Sequence, residues 1–362
     1  MANTNPAVEN LRRKVTAEHA EFVTITKFLS KDVSNDCDIL CLDECSTISN
    51  RDMVRVLQRA QCKLLVLVGD IYQIESILFG NWFNIAYKVM PKDSVAELTR
   101  PHRTTVQGLI EVWNKVREIT EDRLEFITRN GLSSTLDESI FSRTEEDEIV
   151  LCLNYDGIYG INNINKFLQS NNVNPSINWG VLSYKVGDPV LFNESNRFAP
   201  LVYNNLKGKI LQIEEEEDCI YFTIEVYTVL NELDVIGFDL ELKESVTDET
   251  SVIRFKVGRG GDGNDDNDNV ENVVPFQVAY AISIHKAQGL EYESVKVVIT
   301  SEIEEMVSHN IFYTAITRAK SKLKIYWSPE TEKRILENMK VQFNDKDYQL
   351  FKAKYKEALL KS

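Results

Sequence analysis

The chain has 362 residues, with 41 Lys or Arg against 56 Asp or Glu, so its net charge is −15. No apolar stretch approaches the roughly 18 residues of a membrane-spanning helix, and six cysteines are too few to form a disulfide framework in a chain of this length. No charged-then-apolar leader opens the chain, so a soluble, cytoplasmic protein with no membrane partner is predicted.

Two apolar runs in the N-terminal part each end in acidic residues. The run from Ile39 to Leu42 ends in Asp43 and Glu44, and the run from Leu64 to Val68 ends in GDIYQ, residues 69–73. Because ligands bind at the C-terminal ends of parallel strands, these carboxylates are expected at the mouth of a buried sheet. One carboxylate there can hold Mg²⁺ while the other orients a water molecule.

The middle of the chain changes from helical to strand-like patterning. The motif LTRPHRT at 98–104 is followed by a strand-then-helix pattern from Glu148. Residues 185–259 then alternate apolar and polar side chains between Gly and Asn turns, which predicts a small β-barrel. The Gly-, Asp- and Asn-rich run within 260–272 lacks the terminal Glu of a calcium loop, so a flexible acidic linker is predicted.

Helix-and-strand patterning returns after residue 272 and contains two further motifs. They are ISIHKAQGLEYESV at 282–295 and FYTAITRAKSKL at 312–323. The barrel is therefore interpreted as an insert into an α/β domain.

With the opening segment TNPAVENLRRKV at 4–15, these motifs resemble, in order, those of superfamily 1 helicases, closest to the RecD-like, 5′-to-3′ branch. Each motif alone is weak, but the ordered set spans the chain. The resemblance implies an α/β fold with two RecA-like P-loop NTPase-type domains and an SH3-like β-barrel insert. The implied domains are a partial first RecA-like domain at 1–95, the first part of the second at 96–184, the insert at 185–259, the linker at 260–272 and the remainder of the second at 273–362.

One motif of that family is missing from the chain. The phosphate loop GxxxxGK[ST] occurs nowhere in the sequence, although the family carries it just ahead of the motif that starts at Thr4. We therefore expect a motor fragment that hydrolyses ATP poorly by itself.

The resemblance implies roles for the acidic and amide residues of the first domain. Asp43 would hold Mg²⁺, Glu44 would polarise the attacking water, and Gln73 would contact the γ-phosphate of ATP. ATP and Mg²⁺ are thus the expected cofactors.

Two arginines match the family's arginine fingers. Arg103 would be the first and Arg318 the second, with Arg100 as a competing candidate for the first. Both are expected to come from the far side of the cleft between the two domains, so that hydrolysis would require closure of that cleft.

The later motif implies contacts with nucleotide and nucleic acid. Gln288, Gly289 and Glu291 match positions near the nucleotide and its ribose. The positions that match nucleic-acid contacts are Thr4, Asn5, Ser283, His285 and Lys286. His285 considered alone would more often be a structural histidine. Single-stranded DNA is the expected partner, and RNA stays open because nothing in the sequence recognises a 2′-hydroxyl.

Several alternatives are weighed against this motor. A non-catalytic nucleic-acid-binding module would explain the absent phosphate loop, and an RNA helicase of the same superfamily would share every motif. An iron–sulfur site at Cys37, Cys41 and Cys45 lacks a fourth ligand. Only nine residues, Ser30 to Asp38, are available for the family's strand-splitting hairpin, so a protein partner for strand separation is also considered.

Overall fold

The computed structural model describes residues 1–30, 35–75, 80–98, 102–193, 197–245, 247–259, 272–340 and 345–359. The chain forms two compact units, which we call unit 1 (Met1–Thr135 with Thr300–Ser362) and unit 2 (Leu136–Ile299). Arg100 and nearly all of the predicted 260–272 linker lie outside the described residues. The predicted domain boundaries remain predictions.

Within the described residues the α-helices are α1 (Asn5–Lys14), α2 (Ile25–Leu29), α3 (Asn50–Arg59), α4 (Trp82–Val89), α5 (Gln107–Glu118), α6 (Arg123–Arg129), α7 (Ile161–Ser170), α8 (His309–Ile316), α9 (Pro329–Asn338) and α10 (Asp345–Leu359). The strands are β1 (Asp36–Leu42), β2 (Gln61–Leu67), β3 (Ser133–Ser134), β4 (Glu148–Cys152), β5 (Ser176–Trp179), β6 (Leu182–Lys185), β7 (Pro189–Phe192), β8 (Lys207–Glu215), β9 (Cys219–Val226), β10 (Glu241–Lys243), β11 (Ser251–Gly258), β12 (Phe276–Val278), β13 (Ala281–Ser283), β14 (Tyr292–Val298) and β15 (Ala319–Tyr326). None of these helices is both long and apolar enough to cross a membrane.

Unit 1 begins with a parallel pair of strands, β1 and β2, covered on one face. Successive side chains of a strand point to opposite faces. Leu40 and Leu42 therefore pack with α2 and α3, whereas the paired residues Ile39 and Leu64 are 61% and 53% exposed. Strand β1, which was predicted to be buried, is therefore exposed on one face, because the described helices cover only the other face.

Hydrogen-bonding side chains fix where the helices of unit 1 begin. Thr4 caps α1 by accepting from the Ala7 N–H, and Ser49 caps α3 by accepting from the Asp52 N–H. Such caps satisfy backbone donors that the first helical turn leaves free. Ser308 caps α8 in the same way, and six of the eight residues of α8 are buried.

Helices α5 and α8 pack together in unit 1. The indole Nε1 of Trp113 donates to the Ile316 carbonyl at 3.0 Å, and the His309 ring nitrogen Nε2 lies 2.8 Å from the Val116 carbonyl. The chain then turns from α8 into β15, which pairs in parallel with β3. The position of α8, which ends next to Arg318, is therefore set by α5.

Unit 2 contains three parallel strands with β4 in the middle. Strand β13 lies on one side of β4 and β14 on the other. The residues of β4 are all buried, as expected for a central parallel strand. The helices and parallel strands together confirm the predicted α/β class.

An antiparallel sheet of unit 2 lies where the barrel insert was predicted. Its strand order is β10-β11-β9-β8-β7-β12. Alternate residues of β9 are buried, and Phe192, Phe222, Phe255 and Phe276 form an aromatic core. The alternating pattern therefore predicted strands β7, β8 and β9, whereas β12 lies outside residues 185–259. The bounds and the SH3-like identity of the insert stay predictions.

Candidate nucleotide site and nucleic-acid segment

The acidic motifs of unit 1 lie at one edge of the β1 and β2 pair. Leu42 and Leu67 are paired in parallel register, so the residues that follow both strands leave the sheet at the same end. The Val68 N–H donates to the Leu42 carbonyl at 2.8 Å, and the Cys45 N–H donates to the Val68 carbonyl at 2.9 Å. Because these bonds join Leu42 and Cys45 to Val68, Asp43 and Glu44 lie beside the start of the GDIYQ loop.

Glu44 has a backbone conformation that few non-glycine residues adopt. Its φ is 52° and its ψ is 42°, in the left-handed region. The Glu44 N–H donates to Asp43 Oδ1 at 2.8 Å, and Thr47 Oγ1 donates to the Glu44 carbonyl at 2.8 Å. Strain of this kind persists where surrounding contacts enforce it, and it concentrates at functional sites.

The space at the Cβ position of Gly69 is too small for a side chain. A Cβ built there would lie 2.9 Å from Phe83 Cε1 and 3.0 Å from the Cys45 backbone nitrogen. We expect Gly69→Ala to lower the free energy of unfolding by about 1–3 kcal/mol, as overpacking does in other cores. Urea titration measures this change. Gly108→Ala, with open space at its Cβ, is the control, and equal stability of both variants would contradict the close-packing argument.

Both predicted arginine fingers lie in unit 1. Arg318 is fully buried, and its Nε donates to the Thr314 carbonyl at 2.9 Å while Nη2 donates to Thr317 Oγ1 at 3.2 Å. Arg103 Nη1 donates to the Thr317 carbonyl at 2.6 Å. The segment around α8 packs within the compact unit that contains Glu44, and the assignment of the two arginines to the RecA-like domain opposite Glu44 stays a prediction.

The charges around Glu44 oppose one another. Burial raises the pKa of the Glu44 carboxyl, Arg318 and Arg103 lower it, and Asp43 and Asp70 raise it further. The net effect is a pKa above the usual value for a glutamate. A raised pKa makes a carboxylate a better proton acceptor at neutral pH, which suits a residue that activates water.

The GDIYQ loop is hydrogen-bonded to α8. The Ile74 N–H donates to Thr314 Oγ1 at 3.0 Å, and Asn310 Nδ2 donates to the Gln73 carbonyl at 2.8 Å. Gln73 Oε1 is buried and has no hydrogen-bond partner within the part of the chain that the structure describes. A buried acceptor without a partner is costly, so Gln73 is suited to receive a donor from a ligand.

The acidic edge offers oxygen donors of the type that Mg²⁺ prefers. Asp43 follows β1 and Asp70 follows β2. Among the described residues, no group of three or more His, Cys, Asp or Glu side chains has the geometry of a metal site. Magnesium is often held by only one or two carboxylates together with phosphate oxygens and water. The residues therefore fit Mg²⁺ that arrives with a nucleotide.

The predicted nucleic-acid residues of the later motif follow β13 in unit 2. Ser283 is buried, and its Oγ accepts from the Lys286 N–H at 3.2 Å, so it shapes the turn. His285 is exposed. Lys286 Nζ donates to Gln277 Oε1 at 2.9 Å, and burial lowers the pKa of the Lys286 ammonium. Of these three residues, His285 is the most accessible to a ligand.

The remaining predicted positions occupy a turn and a helix start. Gly289 has a φ of 79°, which glycine adopts without strain, and Gln288 and Glu291 flank it in the turn before β14. Thr4 and Asn5 are exposed at the start of α1 in unit 1. The roles of all these residues remain predictions.

Sequence reasoning missed Asp70, whose charge raises the pKa of Glu44, and Arg117, which lies beside the GDIYQ loop. Asp70 follows an apolar run just as Asp43 does, so the same signal could have found it. The Arg117 guanidinium lies 4.8 Å from the centre of the Tyr72 ring, and Asp70 is among the charges that raise the pKa of Arg117. No motif marks Arg117, because only the packing of α5 brings it to the GDIYQ loop.

Two family models match this chain. A model described as UvrD-like helicase C-terminal domain matches residues 278–326, and one described as AAA domain matches residues 1–137. The two matches contain the acidic motifs, Arg103, Arg318 and the His285 segment.

Relatives and a solved structure extend the similarity over most of the chain. An uncharacterized protein of Methanocaldococcus jannaschii is 24% identical over 82% of this chain and 29% of its own length. The RecBCD enzyme subunit RecD of Mycolicibacterium smegmatis is 22% identical over 84% of this chain and 52% of its own length. The chain thus spans about half or less of these relatives.

The crystal structure of Bacteroides Pif1 bound to ssDNA superposes with a TM-score of 0.51 at 14% identity, covering 99% of this chain and 93% of that one. At this identity the superposition shows the fold alone. The matches together confirm the resemblance drawn from the ordered motifs.

Proposed function

We propose that this chain, a member of the RecD-like branch of superfamily 1 helicases, is the motor part of an ATP-driven enzyme that moves along single-stranded DNA. The observation that carries the proposal is the site in unit 1, where Glu44 lies at the shared edge of two parallel strands under the influence of Arg103 and Arg318.

The residues of that site suit phosphoryl transfer to water. Such a reaction depends mainly on positioning and on stabilising charge that develops on the phosphoryl oxygens. Glu44 would orient the water and accept its proton, and the guanidinium of Arg318, already fixed by Thr314 and Thr317, would meet the developing charge without reorganisation. Bound Mg²⁺, held by Asp43, would neutralise phosphate charge.

Unit 2 supplies the proposed contact with the nucleic acid. His285 is exposed immediately after β13, and Lys286 lies beside it with its ammonium partly buried. The similar Bacteroides Pif1 structure contains bound ssDNA, and single-stranded DNA is the nucleic acid that we propose for this chain. Cytoplasmic location and a protein partner for strand separation belong to the same proposal.

A measurement of ATP hydrolysis distinguishes this motor from a non-catalytic nucleic-acid-binding module. The sequence has no GxxxxGK[ST], so the chain by itself is expected to hydrolyse ATP at the background rate. Joined after a phosphate-loop segment, it is expected to show ATPase activity that single-stranded DNA stimulates and that Glu44→Gln abolishes. Absence of activity in the joined protein, with DNA binding intact, would favour the non-catalytic module.

Binding of single-stranded DNA by the chain itself should depend strongly on salt. Each phosphate neutralised on a single strand contributes about 0.7 to the slope of log affinity against log salt. We expect Lys286→Ala to weaken binding and to lower that slope by about 0.7, measured by fluorescence anisotropy with labelled oligothymidylate.

Lys63→Ala is the matched control, because Lys63 is a highly exposed lysine of unit 1 whose Nζ pairs with Asp38. It should leave the slope unchanged. Absence of binding at low salt would contradict the proposed substrate, and clearly tighter binding of oligouridylate would favour the RNA helicase.

A further inference from the structure

Strand β13, which leads into the nucleic-acid segment, has an outer edge that no strand among the described residues covers. On its inner side the Val150 N–H of β4 donates to the Tyr280 carbonyl at 3.0 Å. On its outer side the Ala281 N–H donates to Asn165 Oδ1 at 2.9 Å, and Asn165 Nδ2 donates to the Ala281 carbonyl at 2.8 Å. The amide of Asn165 thus takes the place of a neighbouring strand.

Asn165 reaches β13 because α7 packs along it. Ile161, Ile164 and Leu168 are the buried residues of α7, and Asn165 lies next to this stripe, one turn from Ile161. An amide offers both a donor and an acceptor, so it can satisfy both groups of Ala281. An aliphatic residue here would leave both groups without that partner.

The same helix also holds the residue that precedes β13. Gln169 and Asn172 donate to the Asp188 carboxylate at 2.6 and 2.8 Å, and the Tyr280 hydroxyl donates to it at 2.8 Å. Asp188 is fully buried. The start of β13 is therefore fixed at two successive residues, Tyr280 and Ala281, by groups that α7 positions.

We propose that Asn165 is a positioning residue for nucleic-acid binding, which fixes β13 so that His285 and Lys286 meet the single strand in one geometry. This inference rests on the proposed function of the His285 segment. Asn165 itself need not touch the nucleic acid, because its effect passes through Ala281 to the turn that begins after Ser283.

A double-mutant cycle with the full chain tests the inference. The variants are Asn165→Ala, Lys286→Ala and the two combined, with affinity for labelled oligothymidylate measured at several salt concentrations. We expect Asn165→Ala to weaken binding about fivefold and to lower the salt slope, and the double variant to bind about as weakly as Lys286→Ala, because coupled sites are not additive. Multiplicative losses, or an unchanged salt slope for Asn165→Ala, would overturn the inference.

Two further variants keep the test decisive. Asn171→Ala removes an amide at the end of the same helix that donates to the Phe141 carbonyl, and it should combine multiplicatively with Lys286→Ala. Asn165→Gln keeps both the donor and the acceptor of the amide on a longer side chain, without a new charge, so it should bind with intermediate affinity and serves if the alanine variant does not fold. If the unmodified chain binds no DNA, the proposed function fails. If it binds but Asn165 and Lys286 are uncoupled, only this inference fails.

Discussion

Arg318→Ala is expected to lower DNA-stimulated ATP hydrolysis by about a thousandfold or more, the range measured when an arginine finger is supplied or withheld. The measurement needs the chain joined after a phosphate-loop segment. The reason is that the Arg318 guanidinium is buried, is held by Thr314 and Thr317, and lowers the pKa of Glu44. Because the finger acts on charge that develops in the transition state, nucleotide binding should change little.

Two other substitutions define the origin of that loss. Arg318→Lys keeps the positive charge but lacks the planar fork, so it should recover only a small part of the activity. Arg334→Ala removes an exposed arginine of unit 1 that pairs with Glu304, and it should leave turnover near the unmodified level. Turnover within about twofold of the original in Arg318→Ala would refute the finger assignment.

Lys296→Met is expected to lower the free energy of unfolding by about 3–5 kcal/mol, since it leaves a buried carboxylate without its counter-charge. Lys296 and Glu148 are each only 5% exposed, and Nζ lies 3.1 Å from Glu148 Oε1. Lys296 Nζ also donates to the Ser139 carbonyl at 2.9 Å, and Glu148 Oε2 accepts from Ser294 Oγ at 2.9 Å. Urea unfolding followed by circular dichroism gives the change.

Removal of the opposing charge is the test of this explanation. Glu148→Gln combined with Lys296→Met should recover more than half of the lost stability, because a neutral amide still accepts from Ser294. Lys333→Met, at an exposed lysine that forms an i,i+4 pair with Glu337, should change stability little. A double variant as unstable as Lys296→Met would show that packing, not the unpaired charge, causes the loss.

The amino-acid sequence by itself determined the local chemistry of the molecule. Apolar runs that end in Asp43-Glu44 and in GDIYQ predicted strands with acidic ends, and β1 and β2 end at those positions. The alternation within 185–259 predicted strands β7, β8 and β9 of the antiparallel sheet, since a period of two is a local property. The helicase resemblance came from the order of such short segments, which family models then matched.

The tertiary structure alone decided which of these segments meet. The Ile74 N–H reaches Thr314 across 240 residues, and Asn165 reaches Ala281 across 116, so no local pattern reveals either contact. Such contacts place Arg318 in the same compact unit as Glu44. A side chain's type fixes which bonds it can make, but packing between distant segments determines which of those bonds form.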